Sequence, residues 1–199
     1  MEKASLKYGK IILAILGWFI LFGFTVQIGF SYRLFSMFLD TSALTIAGSI
    51  LNILMLIVFF VLYKEWAKEF FRIGSKWVLI LYILMIIGMV TIPLHYHLEL
   101  PVGVYMFFIT ISVLWQNFIT FGLLQNYLRE RISFCWVMLL MAMLFPIAHA
   151  VYIDGFLSQK VAMFPLAAIM AVIFSFFREK TGRLHFGIFI HLLLYILTA

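Results

Sequence analysis

The sequence predicts an all-α polytopic membrane protein of about seven transmembrane helices, with its N-terminus inside and its C-terminus outside. Three observations carry that expectation. Hydrophobic residues make up 66% of the 199 positions and charged residues 11%, against roughly 45–50% and 25% in soluble domains. Seven apolar runs approach the ~20 residues that a membrane span needs. Basic residues recur between them on alternate sides, as Lys and Arg do when cytoplasmic loops retain them.

The first run, residues 10–30, follows Lys3, Lys7 and Lys10 and so resembles a signal peptide, but its length and the lack of a small-residue cleavage site predict that it stays as a span. The second, 43–63, contains the single amide Asn52. Between it and the third, Trp66, Phe70 and Phe71 stand among Lys64, Lys68, Arg72 and Lys76, which predicts a short amphipathic helix at the lipid surface. The third run, 77–94, leads into His95-Tyr96-His97, a His-x-His pair that makes a zinc site only if a third ligand arrives and is expected to lie in an exposed, non-functional outer loop. The fourth run is 102–127.

The fifth run, 132–153, holds Cys135, the only cysteine, which excludes an internal disulfide and a multi-cysteine metal site and is expected to be a small packing residue. The sixth, 162–177, is short, and Pro165 predicts a bend or a late start. The seventh, 184–199, begins beside His185, which is expected to meet headgroups. No Gly/Ser-rich linker or charge block divides the runs, so residues 1–199 are read as one integral membrane domain.

Charge orients this bundle. Lys3, Lys7, Lys10, Lys64, Lys68, Arg72, Lys76, Arg129, Arg131, Arg178, Lys180 and Arg183 fall inside, and only Arg33 and Lys160 outside. The formal charge of +6 is dispersed over those loops, which points to anionic membrane lipids as partners and not to nucleic acid. A bacterial plasma membrane is the expected location, and an endoplasmic reticulum fits the same pattern. None of the eight Asp and Glu residues lies within a run. Proton-coupled transporters and carboxylate metal sites keep an acid within the membrane, so this composition argues against both.

The polar groups deep in the runs are Gln27, Asn52, Gln116, Asn117, His149 and His191. Gln27 and Asn52 read as interhelical hydrogen-bonding residues. The other four occur in an order that resembles the CPBP family, the type II CAAX prenyl endopeptidases and bacteriocin-processing proteins. "QNFITFGLLQNYLRER" is similar to the family's EExxxR motif, with Gln116 and Asn117 at the glutamates and Phe121 at the arginine. FxxxH is matched by Phe145 and His149, and HxxxN by His191 with Tyr195 at the asparagine. The resemblance covers about residues 102–199.

It implies a cavity within the membrane where a glutamate activates water, with histidines and an asparagine assisting and steadying an oxyanion. The spacing of four within Asn117/Phe121, Phe145/His149 and His191/Tyr195 puts each pair on one face of an α-helix. His149 and His191 are therefore the candidate catalytic residues, and Gln116, Asn117, Phe121, Phe145 and Tyr195 the candidate binding pocket, with no cofactor or metal expected. A neutral amide at position 116 cannot act as a base, so the chain is expected to be a non-catalytic homologue that binds a peptide, a lipidated segment or a partner membrane protein. The alternatives are an active endopeptidase using His149 and His191, with zinc as a possible addition, and a transporter or lipid-binding subunit.

Overall fold

The computed structural model describes residues 2–27, 29–159 and 161–199, and no strand occurs among them. In chain order the helices are α1 (Glu2–Phe22), α2 (Gly29–Phe35), α3 (Thr41–Leu62), α4 (Lys64–Phe70) and α5 (Lys76–Thr91), which ends in one 3₁₀ turn (Ile92–Leu94). Next come α6 (Val102–Asn117), a π-helical stretch (Phe118–Leu124) and α7 (Gln125–Arg129), which form one continuous 28-residue rod. The chain closes with α8 (Phe134–Tyr152), α9 (Phe156–Gln159), α10 (Met163–Thr181) and α11 (His185–Leu197).

Four of these, Thr41–Leu62, Lys76–Leu94, Val102–Arg129 and Phe134–Tyr152, are long and apolar enough to cross a membrane. The other three predicted spans are helical but shorter in apolar length. The apolar part of α1 is Tyr8–Phe22, α10 ends in Arg178, Glu179 and Lys180, and α11 has 13 residues, or roughly 20 Å against a hydrocarbon core of ~30 Å. The protein is an all-α polytopic membrane protein.

The segments that the charge pattern assigns to one side do meet at one end. There the Tyr127 hydroxyl donates to the carbonyl of Lys10, Arg129 forms a bidentate bridge to Glu179 at 2.8–2.9 Å, and the N–H of Leu184 donates to the carbonyl of Phe70. At the opposite end Tyr152 donates to Phe19, Nε2 of His95 donates to the Ile196 carbonyl, and Tyr105 donates to that of Tyr195. Among the described residues, α1, α3, α5, α6–α7, α8, α10 and α11 thus run alternately between a basic end and an opposite end. Lys160, and the side chains of Lys3 and Lys7, lie outside the described residues.

Four sequence expectations change. The first run is not one helix: α1 stops at Phe22, and Gln27 (φ 61°) and Gly29 (φ 60°) are left-handed. Nε2 of Gln27 donates to Thr45 at 2.7 Å, and Nδ2 of Asn52 donates to the Phe24 carbonyl at 2.7 Å, so both amides tie this break to α3. The segment after α3 forms the expected short helix, but it turns two of its three aromatic residues inward: Phe70 is buried and Phe71 packs on Phe60 and Phe118, while Trp66 stays half-buried against Tyr63. Cys135 is exposed. His185 is buried, with Nδ1 accepting from Tyr82 at 2.9 Å while Nε2 donates to the Arg72 carbonyl.

Gly122 explains why α4 sits so close to the π-helical stretch. A Cβ there would lie 3.1–3.2 Å from the Phe70 ring and 3.4 Å from Leu184. Gly122→Ala is expected to cost about 1 kcal/mol net, since overpacking costs ~1–3 kcal/mol and helix propensity returns ~0.5–1. Thermal unfolding in detergent checks this, and a stabilised variant would refute the close-packing account.

Candidate functional site

Asn117, Phe145, His149 and His191 come from α6, α8 and α11, and the structure brings them together. Asn117 ends α6 and is 1% exposed. Its Nδ2 donates to the Val113 carbonyl at 2.9 Å and lies 3.0 Å from Nδ1 of His191. A carbonyl can only accept, so Val113 fixes the orientation of the amide; its second proton goes to His191 Nδ1, which must then accept. The proton of the His191 ring is therefore on Nε2. Gly187 permits the close approach of α11, since a Cβ there would sit 3.0 Å from Oδ1 of Asn117.

His149 has the opposite polarity. Its Nδ1 lies 2.8 Å from the Phe145 carbonyl and must donate, which leaves Nε2 as an acceptor. Among the described residues no hydrogen bond reaches Nε2 of either histidine. Phe145 packs on both imidazoles, with ring centroids 4.6 Å from His149 and 6.0 Å from His191. Tyr195 stacks on His191 at 5.6 Å.

A cavity of about 300 Å³ opens beside these rings between α8, α10 and α11, with Phe156 of α9 over His149. Phe145, His149, His191 and Tyr195 line it. Gln116, Asn117 and Phe121 do not. Gln116 is buried and makes one long bond, from Nε2 to Ser112 in its own helix at 3.4 Å, while its Oε1 has no partner. Phe121 fills the space behind the wall, 5.5 Å from Phe145 and 5.3 Å from Phe174. Asn117 acts from behind the wall too, through His191.

The backbone under these residues departs from the α-helical reading of the motif. From Phe118 onward the helix is π, and at its end the N–H of Gln125 donates to Thr120, five residues back. Such stretches frequently mark functional sites. Trp18 holds this one to α1, its Nε1 donating to Thr120 at 3.0 Å.

Sequence reading missed the α10 wall: Met163, Leu166, Ala167, Met170 and Phe174. Their spacing of three, one, three and four follows a single helix face, so that signal was present in the sixth run. No Asp, Glu, Lys or Arg lines the cavity. Among the described residues no three His, Cys, Asp or Glu side chains are grouped to hold a metal, and two imidazoles without such a third donor do not fit zinc. What the imidazoles offer is one hydrogen-bond acceptor and one donor, beside the hydroxyls of Tyr195 and Thr198, in a largely apolar enclosure with no Asp, Glu, Lys or Arg in its lining.

A family model described as Type II CAAX prenyl endopeptidase Rce1-like matches residues 77–197. The match takes in both amides and both histidines. No curated protein and no solved structure matches the chain.

Proposed function

Because this chain belongs to the Rce1-like family of type II CAAX prenyl endopeptidases, we propose that it is a non-catalytic member, which holds a peptide or lipidated segment of a partner within the membrane without cutting it. One observation carries the reading: Gln116 stands where the family motif has its acid, and no carboxylate lines the cavity. A neutral amide takes no proton from water, so the carboxylate that would serve as general base in the motif is missing. Binding needs only shape, apolar lining and the two Nε2 atoms. A chaperone, an immunity factor or a subunit of a membrane complex would each use such a site. The basic end of the bundle supports an orientation with that end on the cytoplasmic side, in a bacterial plasma membrane or equally in an endoplasmic reticulum.

A second reading rests on the opposed polarity of the imidazoles. His149 Nε2 as base and His191 Nε2–H as oxyanion donor would make an endopeptidase that needs no glutamate. A fluorescent farnesylated C-terminal peptide, added to the purified chain in lipid nanodiscs, separates the two. The expected result is saturable binding with the peptide recovered intact. Hydrolysis above the protein-free control, abolished by His149→Ala, would establish the enzyme and end the non-catalytic reading.

A further inference from the structure

The hairpin of α10 and α11 is closed at one end and open at the other. At its turn Gly182 is left-handed (φ 71°), and the rings of Phe177 and Phe186 stack with centroids 3.6 Å apart. Away from the turn the two helices part around the cavity, whose rim carries Met163 and Leu166 of α10, 44% and 39% exposed, and the exposed Thr198 after α11. Met163 and Leu166 thus give the mouth an exposed apolar rim at the end of the bundle opposite the basic loops, where a ligand from the lipid phase could enter. Its inner wall carries Phe145, Phe174 and the two imidazoles.

We propose that this cavity binds a single-chain aliphatic alcohol drawn from the lipid phase, with the hydroxyl between His149 and His191 and the chain running out toward Met163 and Leu166. A hydroxyl is donor and acceptor at one atom: it donates to Nε2 of His149 and accepts from Nε2–H of His191. A carboxylate only accepts, and it would bring a charge into an enclosure lined by no cation. An alkylammonium only donates, and an alkane leaves both nitrogens unpaired. Size follows from volume. A 150 Å³ apolar cavity holds benzene, so about 300 Å³ scales to roughly twelve carbon atoms.

This inference deepens the binding reading above and rests on its premise that the site holds a ligand, but its test is separate. The chain in nanodiscs is photolabelled with a diazirine-bearing twelve-carbon primary alcohol, and the labelled residues are mapped by mass spectrometry. Labelling is expected at residues 163–170 and 194–198, displaced at least tenfold better by dodecanol than by dodecanoate, dodecylamine or dodecane. His191→Ala removes that preference. Ala167→Phe, which fills the cavity while leaving both histidines in the sequence, blocks labelling in protein that still elutes as a folded monodisperse species. Equal competition by dodecane or dodecanoate, or label scattered over lipid-facing helices, overturns the proposal. If the farnesylated peptide binds and dodecanol fails to compete with the photolabel, the alcohol inference falls while the binding reading stands; the converse removes only the peptide.

Discussion

Phe121→Arg, which installs the residue of the family motif, is expected to destabilise the protein by about 3–5 kcal/mol, the cost of an uncompensated buried charge. Phe121 is 1% exposed and packed between Phe145 and Phe174. No acidic residue lies in the seven runs to pair with the guanidinium, and apolar surroundings offer it no water. The same substitution made together with Gln116→Glu and Asn117→Glu is expected to recover part of that loss, since a contacting charged pair couples by ~0.5–3 kcal/mol. The π-helical stretch puts positions 116 and 117 about one turn from 121, within reach of such a pair. Thermal unfolding of the single and triple variants in detergent measures the coupling. A single variant as stable as the parent would mean that water reaches position 121 and that loss of one charge did not require loss of the others.

That coupling explains why the site was legible as a set while its geometry was not. Run length and charge spacing depend on local composition, and they locate the helices and the alternation of their ends. The ring at His149 could be assigned a local partner because the Phe145 carbonyl is one turn away. The proton of His191 could not, because it is set by Asn117, 74 residues earlier in the chain. The break after Phe22 also escaped a hydropathy reading. It depends on Gln27 reaching Thr45 across a turn, and one amide in an apolar run reads as glue between helices. The π-helical stretch carries no sequence mark of its own; its fit against α4 rests on Gly122 and Phe70. The α10 face was visible by period, but a run judged by length alone hides which side is inward.

Asn117→Leu tests the longest of these links. The substitution keeps the branched shape of the amide and removes both of its donated bonds, leaving His191 Nδ1 buried without a donor. It also sets methyl groups beside Gly187, where Oδ1 now stands 3.0 Å from a would-be Cβ. Together these are expected to cost about 2–4 kcal/mol, from ~1–3 for the unpaired nitrogen and the remainder from overpacking. Stability alone would not identify the role, because any buried polar residue could give that loss. The decisive readout is the His191 ring. With Asn117 in place, ¹⁵N shifts should show the proton on Nε2; in the Leu variant the proton is free to move to Nδ1, and the donor that faces the cavity is lost. Ligand affinity should then fall at least tenfold in molecules that remain folded. If His191 keeps its Nε2 proton in the Leu variant, Asn117 is a packing residue, and the polarity of the site is set from the cavity side.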